Sequence, residues 1–284
     1  MSTGSGKSKK IKKAVNIIKS VRLIVLLLTA TVFLYAIISF ISTRVKEEAK
    51  GDFFSRENDA DTSILLPPVT LSVEAKERIE GTDPDKDKAI LSVYKGMKED
   101  NPDFSGFLMI EETNINYPVM YSKTEPERYL TKDINGLDSV SGLPFIDSRC
   151  SIDPESDNII IYAHNMKNGS MFGNLDLYKD EEYLKEHPVI RYDSPEQIRE
   201  YEIMSVFYDR VYYDDEDDYR FYDFIDAADE DDYEVNINEI IKKSIYDTGV
   251  RAKYGDKLIT LVTCSYQTDN GRFVIIAKQR LPIE

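Results

Sequence analysis

The sequence predicts a mainly β domain, a barrel or a sandwich, with helices ahead of it and one helical insertion, behind a single membrane-spanning segment. Three observations carry that expectation. From residue 106 onward, about eight short β-prone runs alternate with polar connections. One connection, before the last two runs, is long and carries isoleucines at helical spacing. Near the N-terminus, Leu23 to Ile41 form a nineteen-residue stretch without a charge.

The elements follow in order. Residues 1–22 are a basic tail, with Lys7, Lys9, Lys10, Lys12, Lys13, Lys19 and Arg22 and no acidic residue among them. Residues 23–41 suffice to cross a hydrocarbon core of roughly 30 Å as a helix. The positive-inside rule keeps the tail in the cytoplasm and exports the rest. A cleavable signal peptide has a shorter apolar core, about 7–15 residues, and a small-residue cleavage site. Ser42-Thr43-Arg44 is a poor site, so an uncleaved single-pass anchor is expected. Residues 42–72, polar and then containing Pro67-Pro68, read as a stalk. The domain itself spans 73–284. Its first part, 73–100, reads as one or two helices, with Ile79 in the first and Ile90, Tyr94 and Met97 on one face of the second.

Strands are expected at 106–110, 115–120, 143–146, 158–163, 189–193, 200–210, 257–264 and 272–280. The long insertion opens on the acidic run Asp214–Asp218 and continues through Tyr219–Asp229. A helix is expected over Asn236–Tyr246, with Ile237, Ile240, Ile241 and Ile245 on one face. Asn236 or Asn238 would cap its start and Gly249 would end it. Such a face is more often core than partner surface. The roughly 240 residues beyond the anchor are enough for one substantial core.

Charge divides the chain in the same place. The net charge is −16 and the first 22 residues carry +7, which leaves −23 on residues 23–284. So acidic a domain lacks the basic patches that nucleic acid requires. It suits basic partners, or simply a solvated surface. Two motifs dissolve on inspection. Gly4-Ser5-Gly6-Lys7-Ser8 resembles a phosphate-binding loop, but its first glycine would fall at Met1, with no strand before it. Asp83, Asp85 and Asp87 imitate a calcium loop, but the sixth position is Lys88 and the twelfth Tyr94. With two histidines and two cysteines in all, a Cys/His zinc site is not expected, and no cofactor is.

Those rare residues carry the chemistry. Asn158-Ile159-Ile160-Ile161-Tyr162 leads into Ala163-His164-Asn165, and Leu258-Ile259-Thr260-Leu261-Val262 leads through Thr263 into Cys264. A polar loop ending in Asn270-Gly271 then turns into Arg272-Phe273-Val274-Ile275-Ile276-Ala277. This is an antiparallel hairpin that sets Cys264 and Arg272 at the same end of adjacent strands. A thiol becomes a strong nucleophile beside a base or a positive charge. An arginine supplies donors for the oxyanion formed when a thiolate attacks a carbonyl. Together these residues suggest acyl transfer through a cysteine. Sequence spacing leaves the placement of His164 to the fold.

The Thr-Leu-Val-Thr-Cys run, the downstream arginine and Tyr-Ala-His-Asn resemble a sortase, the transpeptidase that anchors proteins to Gram-positive cell walls. The resemblance covers roughly residues 75–280. It includes Gly106-Phe107-Leu108 and Asn114-Ile115-Asn116-Tyr117-Pro118-Val119, similar to the first two barrel strands of that family. The long helical insertion and the helical extension before residue 101 look like class B. Val262 is a departure, since some class B members carry a serine there. The resemblance implies a closed eight-stranded barrel, with Cys264 as nucleophile, His164 as general acid and base, and Arg272 as oxyanion and substrate donor. It also implies the partners: a secreted protein with a C-terminal sorting signal, and an amine on a peptidoglycan precursor such as lipid II.

Plainer readings apply to the other rare residues. A free cysteine is usually a small buried hydrophobe, and Cys150, without a motif, reads that way. A Cys150–Cys264 disulfide would abolish the nucleophile and is not expected. His187, in Glu186-His187-Pro188, reads as structural. Three alternatives use the same residues differently: a pilin-polymerising sortase, a cysteine peptidase or amidase with water as acceptor, and an anchored binding module without catalysis.

Overall fold

The computed structural model describes residues 84–213, 215–264 and 270–280. The basic tail, the Leu23–Ile41 span, the stalk and the first helical stretch lie outside the described residues. Among those described, no helix is long and apolar enough to cross a membrane.

Helix α1 (Pro84–Asp100) opens with Asp85 and Asp87 in its first turn and closes with Lys98 in its last. The order suits the helix dipole. Asp85 and Asp87 of the calcium-like run are thus helix-start residues. Ile90, Tyr94 and Met97 share one cluster, as their spacing predicts, and Tyr94 is fully buried in it. Its ring stacks on Phe107 at 5.8 Å, and its hydroxyl donates to Asp193 at 3.4 Å.

All eight expected strands form: β1 (Phe104–Met109), β2 (Asn116–Met120), β3 (Phe145–Ile146), β4 (Asn158–Tyr162), β5 (Val189–Asp193), β6 (Glu200–Arg210), β7 (Leu258–Cys264) and β8 (Gly271–Gln279). They close in the order β1-β2-β3-β4-β7-β8-β6-β5, with β5 returning to β1. The architecture is therefore a barrel and not a sandwich. Gly106 permits the closing contact, since a Cβ there would lie 2.3 Å from the Asp193 carbonyl oxygen. Leu108, Ile160, Val206, Leu261 and Ile275 are among the core residues wholly removed from water.

Two of the eight pairings are parallel, β2 with β3 and β4 with β7. The second decides the site. Both strands are apolar along nearly their whole length, as expected where both faces are covered. The polar exceptions satisfy each other. Buried Thr260 donates to the Asn158 side chain at 2.8 Å, and Asn158 donates to the Phe224 carbonyl at 2.9 Å. Asn158 thereby ties the start of β4 both to β7 and to the insertion.

Two further α-helices lie between the strands of the barrel. The short α2 (Glu181–Glu186) ends on His187, whose ring packs on Tyr183 at 4.4 Å, the structural role expected of it. The insertion helix α3 spans Glu230–Lys243, so it begins six residues earlier than the isoleucine spacing suggested and ends three earlier. Its cap is Asp229, which accepts from the Asp232 N–H, while Asp232 reaches back to the Ala228 N–H. Asn236 sits inside the helix, donating to the Asp232 carbonyl and accepting from Tyr219. At the other end Ser244 leaves helical geometry, and Ile245 N–H donates to the Val206 carbonyl of β6. Pairing with the barrel, rather than Gly249, stops the helix. Tyr233, Ile237 and Ile240 form the buried face, Ile241 packs partly, and Ile245 is exposed.

Candidate active site

Cys264 is the last residue of β7, exposed after six buried ones. Directly across the β7–β8 ladder stands Arg272. The hairpin expected from sequence thus forms with these two residues paired. Arg272 is half-buried, and its Nη1 donates to the Asn270 and Gly271 carbonyls at 3.2 and 2.9 Å.

His164 arrives by the parallel pair. Tyr162 lies opposite Val262, so two further residues on each strand bring His164 and Cys264 out at the same edge. Side chain and backbone clasp the two exits together. Ala163 N–H donates to the Val262 carbonyl at 3.2 Å, and Thr263 Oγ1 donates to the Ala163 carbonyl at 3.0 Å. Asn165 Nδ2 donates to the Cys264 carbonyl at 2.7 Å.

The imidazole has a defined partner. His164 Nε2 lies 2.8 Å from the Leu130 carbonyl oxygen. A carbonyl only accepts, so Nε2 carries hydrogen and, in the neutral ring, Nδ1 holds the lone pair. Leu130 ends a short 3-10 turn, Arg128–Leu130. Its neighbour Tyr129 is buried, donates to Asp103 at 3.0 Å, and accepts at its carbonyl from Leu143 N–H at 2.8 Å. Gly142 closes this packing in the left-handed region, at φ +53. A Cβ on it would lie 2.3 Å from the Tyr129 carbonyl oxygen and 2.5 Å from that of Leu130.

Both cysteines are free thiols. Cys150 is buried, donates to the Asn158 carbonyl at 3.5 Å, and is pushed by burial to a pKa of about 12. It is the inert structural thiol expected. Tyr162, two residues before His164, donates to Asp147 at 3.2 Å, and burial raises the pKa of its phenol.

One rim therefore carries an exposed thiol, an imidazole with a fixed tautomer and a guanidinium. That set can run acyl transfer: a nucleophile, a proton carrier and an oxyanion donor. Two supporting groups escaped sequence reasoning. Asn165 stood beside His164 in the motif, and its polarity at a strand exit was the available signal. The Leu130 carbonyl has no sequence signal, because every residue has a carbonyl.

The model of the sortase domain matches residues 108–280. The chain belongs to the sortase family, the cysteine transpeptidases. Its relatives are of class B. It is 33% identical over 183 residues to sortase B of Listeria monocytogenes, covering 63% of this chain and 70% of that one. The structure of Bacillus anthracis sortase B in complex with AAEK1 is 31% identical, covers 66% of this chain and 83% of its own, and superposes with a TM-score of 0.57. A mutant form of Clostridium perfringens sortase B is 27% identical, with coverage of 70% and 92% and a TM-score of 0.62.

Proposed function

We propose that the chain is a membrane-anchored sortase that cleaves a C-terminal sorting motif and transfers the acyl group to a cell-wall precursor. The observation that supports this most is the placement of Cys264 directly opposite Arg272 and beside the exit of His164. The Cys264 thiolate attacks the threonine carbonyl of a Leu-Pro-x-Thr-Gly or Asn-Pro-x-Thr-x signal. Arg272 stabilises the oxyanion. His164, as imidazolium, protonates the departing amine from Nδ1, and a thioester remains. An amine on a peptidoglycan precursor such as lipid II then attacks the thioester, loses its proton to His164 and expels the Cys264 thiolate as the new amide forms. Throughout, Nε2 stays on the Leu130 carbonyl, so one ring nitrogen does the exchange.

The Leu23–Ile41 segment serves as anchor, with the tail cytoplasmic and residues 73–284 outside, where secreted substrates emerge. The test uses the detergent-solubilised chain with a panel of sorting peptides and an added amine, read by mass spectrometry. A product cut after threonine and joined to the amine, absent in Cys264→Ala, is expected. Hydrolysis that persists in excess amine would instead identify a peptidase. No turnover and no trapped thioester would leave a binding module.

A further inference from the structure

The row of opposed residues at the site does not stop at Arg272. Across the β6–β8 ladder, Arg272 stands directly opposite Asp209. Cys264, Arg272 and Asp209 thus form one cross-strand row over β7, β8 and β6, with their side chains on one face. Asp209 is only 8% exposed. A buried carboxylate beside a guanidinium is ordinarily its ion-pair partner. Here a second cation holds it. Lys243, in the last turn of α3, sits with Nζ 3.0 Å from Asp209 Oδ2, and the Tyr212 hydroxyl donates to Oδ1 at 2.6 Å. Arg272 meanwhile bonds the carbonyls of its own turn.

We infer that Lys243 is a positioning residue for the sortase reaction: by occupying Asp209, it keeps Arg272 free to serve Cys264. The inference rests on the role proposed above for Arg272. The burial of Asp209 makes the competition strong, because a carboxylate out of water without a counter-charge draws in the nearest cation. The lysine's own environment agrees: burial works against its charge, yet Asp209 and Tyr212 raise its pKa overall. The helical insertion thereby acquires a task at the site, delivered through a single ammonium.

The test reads kcat/KM for sorting-peptide cleavage in the detergent-solubilised chain, the quantity in which an oxyanion donor acts. The melting temperature is followed beside it, so that loss of folding is told apart from loss of Arg272. Arg272→Ala sets the scale, with oxyanion stabilisation lost. Lys243→Met should lower kcat/KM about tenfold, toward the Arg272→Ala value. Asp209→Asn added to Lys243→Met should restore it, and Lys243→Arg should preserve it. In the Arg272→Ala background, Lys243→Met should add nothing, because its effect runs through the arginine. Wild-type kcat/KM in Lys243→Met, failure of Asp209→Asn to rescue, or additivity with Arg272→Ala would overturn the inference and leave the arginine's role standing. An Arg272→Ala chain indistinguishable from wild type would overturn both.

Discussion

Gly142→Ala is the sharpest test of how His164 is held. The new methyl would sit 2.3 Å from the Tyr129 carbonyl oxygen and 2.5 Å from that of Leu130, where Cβ contacts under 3.0 Å are essentially never found. The backbone must therefore yield by about 0.5–0.7 Å, the shortfall between those distances and 3.0 Å. Moved that far away from the ring, the 2.8 Å bond to His164 stretches to the edge of hydrogen-bonding range. A neutral hydrogen bond of this kind is worth about 0.5–1.5 kcal/mol net, so the ratio of correctly held to released imidazole falls about twofold to thirteenfold. The left-handed φ adds a stability cost of about 1–2 kcal/mol. Gly136→Ala is the matched control. It too has positive φ, +76, but its Cβ would meet only the flexible end of Arg128, at 3.1 Å. Both variants should melt lower. Only Gly142→Ala should lose about twofold to thirteenfold in kcat/KM and shift the pH profile of that ratio. Equal activity and equal pH profiles in the two variants would refute the role of the Leu130 carbonyl.

Further measurements address other parts of the fold. Iodoacetamide at neutral pH should label one thiol of the native chain and two in denaturant, because burial holds Cys150 protonated with a pKa of about 12; two native labels would contradict the packing. Arg149→Met should cost about 1 kcal/mol at pH 7, a value discounted because the guanidinium is half-exposed. Burial favours the protonated form of Asp147, but the Arg149 hydrogen bonds outweigh it and its pKa is depressed. The stabilisation is thus fully present above the unfolded pKa and is lost as pH falls through the folded one. The urea midpoints of variant and wild type should converge as pH falls below the ordinary carboxylate range, and a constant gap would refute the linkage. Asp229→Ala removes the α3 cap and should cost about 1 kcal/mol with an unchanged urea m-value; no loss would place the helix start elsewhere.

Much of this was legible in the chain. Strands of a barrel buried on both faces, such as β4 and β7, write themselves as nearly continuous runs rich in β-branched residues. The β-prone runs on either side of the polar loop ending in Asn270-Gly271 made the hairpin that pairs Cys264 with Arg272 legible. Boundaries were less visible where tertiary contacts set them. β3 shrinks to Phe145–Ile146, and β1 starts at Phe104, earlier than its pattern suggested. The start of α3 was hidden because its cap lies within an acidic stretch that reads as loop, and because Tyr233 extends the buried face before the first isoleucine. The row from Cys264 to Asp209 needed the β6–β8 register, which joins positions more than sixty residues apart in sequence. No local pattern encodes it.

The parallel pairing of β4 with β7 has a consequence for how such enzymes can vary. His164 and Cys264 are one hundred residues apart, yet their relative position is set by a ladder of five paired rungs. A ladder permits only whole steps, each about 3.3 Å, and a single step turns every side chain to the opposite face. The spacing of thiol and imidazole is thus digital. Everything strung between the two strands, including α2, two further strands and the whole of the insertion carrying α3, can lengthen, shorten or be rebuilt while the rungs stay in register. The chain can change what surrounds the reaction without retuning the distance on which the reaction depends.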